Sequence, residues 1–388
     1  MLLVLFFVRL AMGYQFQSVA SVSSHLVGEL GFTYAEVGTL IGFFLLPGIV
    51  ISIPSGAITR AVSDKNLLMF GAVVMIVGAL VMGFADSANA LYAGRLTTGV
   101  GGTIFNVILT KIVTDWFFEK EIVTALAIML TAWPIGISLG LLTQGFIADV
   151  YGWQWAMHAT AIMALIALLL TAALYRAPLD VQLRADLPLR FGLPRRQMLH
   201  ISVVGLGWTF YNACFIILVS FTPDVLIEHG YEPGAARSVT SLAMWAMLLS
   251  IPFGGRVLEM FGWINVSIIV TTAAASAAMM AISQGIAPEV LCVAFGLIAG
   301  IPAGALMALS AEAVSSNHRG PGLGIFYTWY YVGMTVGPAL AGWTRDVSGS
   351  AAAPVILGAA MLAGVVVCLG MLRLLQAIWP IETEAEPA

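Results

Sequence analysis

The stretch Arg95-Leu-Thr-Thr-Gly99-Val-Gly101-Gly102 sets one arginine inside the largely apolar run from Leu91 to Val113. A guanidinium stays charged there, and holding it at the centre of a membrane helix costs roughly 2.5–3.5 kcal/mol on insertion scales. Gly94, Gly99, Gly101 and Gly102 thin the same helix, so that neighbours can approach closely. A charge kept at that cost among close-packing residues points to a buried polar site in a helical bundle.

The rest of the chain suits such a bundle. Of 388 residues 60% are hydrophobic and only 9% charged, against about 25% charged in soluble domains. The chain therefore reads as an all-α, polytopic membrane protein. The net charge of −4 carries little weight, since the acids sit in loops and in a tail holding Glu382, Glu384 and Glu386. Cys214, Cys292 and Cys368 fall in apolar runs and read as small buried apolar residues, with no disulfide or metal site expected. The run Met1–Leu10 has no basic segment and no small-residue cleavage site, so it reads as a first helix rather than a leader.

An apolar stretch of about 20 residues spans a bilayer. Twelve are found, over 2–26, 36–58, 67–85, 91–113, 122–147, 154–175, 198–221, 236–255, 264–284, 289–311, 322–343 and 353–375. They are too long and too evenly apolar for barrel strands. Lys and Arg set the orientation. Twelve of the sixteen fall on one set of connections, including Arg60, Lys65, Arg176 and Arg196; Arg237 and Arg345 fall on the other, and Arg9 and Arg95 lie within spans. This predicts a multi-pass protein of the inner (plasma) membrane with both termini cytoplasmic.

The connection 176–197, rich in Arg, Leu and Pro, splits the chain in two. A shift of 197 residues aligns Gly136, Gly140 and Gly145 with Gly333, Gly337 and Gly342, Tyr14-Gln15 with Tyr211-Asn212, Trp133 with Tyr330, and Gly99 with Gly296. The same shift aligns Asp149-Val-x-Gly152 with Asp346-Val-x-Gly349. The expected organisation is an N-terminal six-helix bundle (1–175), a cytoplasmic linker (176–197), a C-terminal six-helix bundle (198–376) and an acidic cytoplasmic tail (377–388). Two parallel repeats of six helices are the pattern of carriers that rock two halves about a midplane site.

On these features the chain resembles the major facilitator superfamily over essentially its whole length. Arg95-x-x-x-Gly99-x-Gly101 matches that family's fourth-helix motif, and Gly152-Trp153-Gln154-Trp155 stands where many members have Gly-Trp-Arg-Trp. The segments Met12-Gly-Tyr-Gln-Phe-Gln-Ser18, Leu46-Pro-Gly and Ile53-Pro-Ser-Gly are most similar to the cyanate-permease and nitrate/nitrite branches. The arginines of true nitrate carriers in helices two and eight have no mid-helix counterpart, so nitrate itself is not expected. The resemblance implies a gating loop after helix two, here with Arg60, Asp64 and Lys65, and its repeat after helix eight, with Arg256 and Glu259. Arg60 stands where the family has an acid, so the usual charge clamp is altered in the first half.

The residues expected to meet a solute are Arg9, Tyr14, Gln15, Arg95, Asn106, Trp133, Tyr211, Asn212, Tyr327 and Tyr330. Arg95 shares a helix face with Thr98, Gly102, Asn106 and Thr110. It reads either as an anion-binding group beside an amide or as a brace bonded to neighbouring carbonyls. Arg9 reads either as a second cation for the solute or as a side chain snorkelling to the interface. Arg9 and Gln15 cannot share a face of a straight helix; charge favours Arg9, and the repeat favours Tyr14-Gln15. The run Phe326-Tyr327-Thr-Trp329-Tyr330-Tyr331 in helix eleven, with Trp133 in helix five and Trp245 in helix eight, could wall a small site or simply pack, and Trp133 and Tyr330 gain weight as a repeat-related pair.

All Asp and Glu lie in loops, tails or helix ends. Two in-span arginines without a fixed acid suit an anionic solute, which would neutralise the site itself. The expectation is a monomeric secondary carrier for a small anionic solute, working by alternating access in a lipid bilayer. It would need no cofactor, metal or nucleic acid. It is not an enzyme, because no paired acids or nucleophile–base set lie in the helices. The alternatives are a drug/proton antiporter, whose helix-five signature is displaced here to Gly333-x-x-x-Gly337-Pro338, and a non-transporting membrane sensor.

Overall fold

The computed structural model describes residues 1–51, 62–117, 122–176, 193–315 and 318–380. Among them are fifteen helices and no strand. In chain order they are α1 (Leu2–Ser21), α2 (Ser23–Leu30), α3 (Tyr34–Phe43), α4 (Pro47–Ile51), α5 (Asp64–Gly83), α6 (Ala88–Phe117), α7 (Ile122–Tyr151), α8 (Trp153–Leu174), α9 (Arg195–Glu228), α10 (Pro233–Phe261), α11 (Ile264–Ser283), α12 (Pro288–Ala299), α13 (Ala303–Glu312), α14 (Arg319–Ser348) and α15 (Ala352–Ile378). Most of the linker, the end of the acidic tail and Arg60 lie outside the described residues.

By length and composition, eleven of the described segments could cross a membrane. The expected span 322–343 is one continuous helix, α14, but falls outside that set. Tyr327, Thr328, Trp329, Tyr330 and Tyr331 lower its apolar content. Two expected spans are broken. The span at 36–58 divides between α3 and α4, with Pro47 opening the second piece, and that at 289–311 divides between α12 and α13 just after Pro302. Proline has no N–H to give, so a helix tends to restart at it. The entry to α3 is fixed locally by a capping box, in which the Thr33 hydroxyl accepts from Glu36 N and the Glu36 carboxylate accepts from Thr33 N.

Helices α1, α5, α6, α7 and α8 pack among themselves, and α9, α11, α12, α14 and α15 do the same with α10. Two seams join these sets: α3 lies along α14, and α7 lies along α10. The repeat-related glycines do equivalent work at equivalent crossings. A Cβ on Gly99 would strike the Phe43 and Phe44 carbonyls of span two, and one on Gly296 the Ala243 carbonyl of span eight. On the seams, Gly145 admits the Arg237 side chain, and Gly342 admits the Tyr34 carbonyl. Small residues where backbones touch are the usual means of packing helices in lipid, where no hydrophobic drive brings them together.

The polar contacts sort by end. At the Asp149 end, Asp149 pairs with Arg237, and Asp346 accepts from the amides of Tyr34 and Ala35; both contacts cross between the sets. At the Asp64 end, Asp64–Lys111 and Glu312–Arg373 each stay within one set, among the described residues. Among the described residues, the ion pair that joins the two sets lies at the Asp149 end.

Candidate functional site

Arg9 and Arg95 both end up buried, for different reasons. Arg95 is 0% exposed. Its Nε donates to the Leu40 carbonyl at 2.9 Å, one terminal nitrogen to the Gln15 carbonyl at 3.0 Å and the Ser18 hydroxyl at 3.4 Å, and the other to the Phe16 carbonyl at 2.7 Å. The guanidinium carbon also lies 4.8 Å from the Phe44 ring centroid and 5.8 Å from that of Phe16. One side chain from α6 thus ties the turns of α1 to α3. Of the two readings of Arg95, this geometry is that of the brace.

Arg9 is 9% exposed and, among the described residues, has one hydrogen-bond partner, the Asn106 side-chain oxygen at 3.3 Å. Its Nε is buried and makes no hydrogen bond. The Asn106 amide donates onward to the Tyr331 hydroxyl at 3.0 Å. The phenols of Tyr327, Tyr330 and Tyr331 lie within electrostatic reach of the guanidinium. Their rings form an edge-to-face file, with centroids 6.3 Å apart for Tyr327–Tyr330 and 5.1 Å for Tyr330–Tyr331. Among the described residues no carboxylate pairs with Arg9. The cluster draws one residue from α1, one from α6 and three from α14, so it spans the seam between the two sets of helices.

Asn106 and Arg95 share a face of α6, as the sequence spacing implies. They lie eleven residues apart, which at 1.5 Å per residue puts them on levels about 16 Å apart. That separation gives them different neighbours. Tyr14 donates or accepts with Thr143 on α7 at 2.9 Å, and the Gln15 amide donates to the Met75 carbonyl on α5 at 3.0 Å. Tyr211 donates to the Ala299 carbonyl at 2.6 Å, the Asn212 amide to the Trp208 carbonyl of its own helix at 2.8 Å, and the Trp133 ring packs on Phe16 at 5.2 Å. Of the ten expected residues, Arg9, Asn106, Tyr327 and Tyr330 come together; Tyr14, Gln15, Arg95, Trp133, Tyr211 and Asn212 make these other contacts. Tyr331, absent from the expected set, belongs to the cluster. Its sequence signal is its place in the helix-eleven aromatic run.

Of the expected gating residues, Asp64 accepts from Lys111 at 2.8 Å and Lys65 donates to the Ala172 carbonyl at 2.7 Å. The side chains of Arg256 and Glu259, like Arg60, lie outside the described residues. The acid lost at Arg60 is thus accompanied by an acid–lysine pair in the same loop region, from Asp64.

A cluster of one cation, one amide and three phenols lacks the paired acid and base that bond-breaking chemistry needs, but it can hold a polar solute. Comparisons with known proteins bear on the family and the fold. The family model described as Major Facilitator Superfamily matches residues 3–287. An MFS-type transporter of Methanocaldococcus jannaschii is 20% identical over 86% of this chain and 88% of its own length. A probable nitrate transporter of Staphylococcus epidermidis is 23% identical over 81% of each chain. The fold matches that of a bacterial homolog of the human lysosomal transporter Spinster in an inward-facing conformation, at a TM-score of 0.71 and 15% identity, covering 99% and 98% of the two chains. It also matches the nucleoside transporter NupG at a TM-score of 0.72 and 15% identity, covering 96% and 99%. With two repeat-related sets of membrane helices, a polar cluster on their seam and a family match over most of its length, this chain belongs to the Major Facilitator Superfamily and is a membrane carrier, not an enzyme.

Proposed function

We propose that this carrier moves a small anionic solute across the plasma membrane by alternating access, binding it at Arg9 between α1, α6 and α14. The observation that carries the reading is the Arg9 guanidinium: buried and, among the described residues, bonded to a single neutral amide, with a buried N–H left over and no carboxylate paired to it. A charge in such a place is retained at a cost, which an incoming anion offsets by charge-assisted hydrogen bonds. Asn106 and the phenols of Tyr327, Tyr330 and Tyr331 would complete the solute's hydrogen bonding and set its size. The likeness to a probable nitrate transporter supports an anion without naming one.

Arg95 takes no part in binding on this reading and acts as a brace. The basic residues turn the Asp64 end and both termini toward the cytoplasm, and the working unit is a monomer. Efflux of cationic compounds, the rival reading, would call for an acid where Arg9 stands.

The test is a thermal-shift screen of small carboxylates and inorganic oxyanions on purified protein, followed by counterflow of the best anion in proteoliposomes. At least one anion should raise the melting temperature, and Arg9→Ala should abolish both the shift and the counterflow while the protein stays folded. An unchanged anion response in Arg9→Ala would sink the proposal.

A further inference from the structure

Helices α1 and α7 cross at Gly140, and the crossing holds polar groups that neither solute binding nor packing explains. A Cβ on Gly140 would lie 2.8 Å from Gln17 Cβ, 3.0 Å from Gln17 Cγ and 3.1 Å from Gln144 Oε1. The Ser21 hydroxyl, one turn along α1 from Gln17, donates to the Gly140 carbonyl at 3.2 Å. Gln144 is held by one end only. Its amide donates to the Tyr14 carbonyl at 2.7 Å, and its buried oxygen is left over. Gln17 is fully buried, and among the described residues neither its oxygen nor its nitrogen has a partner. Buried amide groups without partners are costly.

The second repeat supplies an internal control. At the shift of 197 residues Gly140 matches Gly337, while Gln17, Ser21 and Gln144 match Cys214, Leu218 and Ala341. Those residues lie on α9 and α14, which pack on each other, and they are fully buried. The same crossing is therefore built from small and apolar side chains in the second half. The polar groups of the first half are kept at a cost that packing does not require, and a bound ligand accounts for it.

The oxygens gathered there name the ligand's chemistry. Gln17 Oε1, Gln144 Oε1, Ser21 Oγ and the Gly140 carbonyl are hard and uncharged, and none is a carboxylate. Hard oxygens suit alkali and alkaline-earth ions, and an uncharged set suits a monovalent one. Two oxygens 3.2 Å apart, as Ser21 Oγ and the Gly140 carbonyl are, subtend roughly a right angle at an ion about 2.4 Å from each, within the oxygen distances of calcium, whose size sodium shares. A water needs room of roughly 10–15 Å³. The closeness of Gln17 to Gly140 favours a bare ion held between the oxygens instead.

We propose that this crossing is a sodium site, in which Gln17 Oε1, Gln144 Oε1, Ser21 Oγ and the Gly140 carbonyl hold one Na⁺ between α1 and α7. The Ser21 hydroxyl proton turns outward to free both oxygens. The cage has no negative charge, and Arg95 meets α1 nearby at the Gln15 and Phe16 carbonyls, so binding is weak, on the order of millimolar. Arg9 lies two turns before Gln17 on α1, so the ion fixes the helix that carries it. The site itself does not depend on what Arg9 binds.

The test is thermal unfolding of purified, solute-free carrier in the chlorides of sodium, potassium and choline at equal ionic strength. Sodium should raise the melting temperature saturably, by mass action, and the other two should raise it less or not at all. Radiolabelled sodium should bind as a single ion per chain. Gln17→Cys and Gln144→Ala install the residues of the second repeat, and each should abolish the sodium shift in a protein that still melts cooperatively. Arg9→Ala should keep the shift, which separates this site from the anion reading. For a variant that fails to fold, the selectivity and stoichiometry of the parent decide. Shifts with potassium or choline as large as with sodium, or no bound sodium, overturn the proposal and leave the amides to a water or to each other. A sodium shift that survives in both folded variants overturns it as well.

Discussion

Arg9 and Arg95 start from the same chemistry, a guanidinium inside an apolar helix, and differ in how many of their N–H groups the fold satisfies. Arg95 meets three main-chain carbonyls and two aromatic faces. Arg9 meets one amide oxygen. Hydrogen bonds to a charged group contribute roughly 1.5–3 kcal/mol each, so Arg95→Ala should lose about 2 kcal/mol or more of stability, seen as a lower midpoint in thermal unfolding in detergent. Lysine has no planar fork with which to reach Leu40, Gln15 and Phe16 together, so Arg95→Lys should recover only part of that loss. Arg9→Ala should instead leave the melting midpoint of solute-free protein near the parent's, since it removes a poorly partnered charge. A large drop in Arg9→Ala with none in Arg95→Ala would reverse the two roles. The sequence left both roles open for each arginine. The choice depends on which carbonyls lie within reach, and that depends on how α1 and α3 are rotated about α6.

At the scale of the helix, most of what the sequence implied reappears. The periods of glycine repeated at 197 residues turn up as matched crossings, because close backbone contact in lipid admits little else. The breaks at α3–α4 and α12–α13 follow Pro47 and Pro302, which the hydropathy reading had passed over. A run of apolar residues records that a segment is in lipid, not whether its hydrogen-bond ladder is continuous. Helix α14 runs the other way: it is a continuous helix whose polar aromatics reduce its apolarity, because it faces the site rather than lipid alone. The α3–α14 seam yields a direct prediction. A Cβ on Gly342 would meet the Tyr34 carbonyl, so Gly342→Val should hold the seam apart. Gly342→Val should therefore lower the thermal-unfolding midpoint, while Gly370→Val, at a glycine with open space around it, should leave it near the parent's.

For the molecule as a whole, the working cluster and the contacts of Asp149 and Asp346 share one logic: both join helices from before and after the central linker. The Asn106–Tyr331 bond at 3.0 Å is the link at the level of Arg9. Tyr331→Phe removes its acceptor, at a cost of about 1 kcal/mol, and should weaken the thermal-shift affinity for the identified anion by roughly fivefold. Tyr14, Gln15, Tyr211 and Asn212 were weighted by the repeat, yet their bonds stay within their own half. Repeat symmetry preserves packing positions, whereas a solute site needs only one copy of its charge.

The sequence by itself determined that the chain is an all-helical membrane protein, where most of its spans fall, and which two arginines are held inside. Each of these follows from hydropathy, charge and spacing, which act along the chain before any helix meets another. Only the tertiary structure decided that Arg95 is bonded by carbonyls and Arg9 is not, that Tyr331 joins Asn106, and that Asp149 and Asp346 reach across the seams. Those outcomes depend on the rotation and crossing of helices far apart in sequence. In lipid, that arrangement is set by the fit of small residues and by which polar group can reach a partner, and no single span records its neighbour's side of that fit.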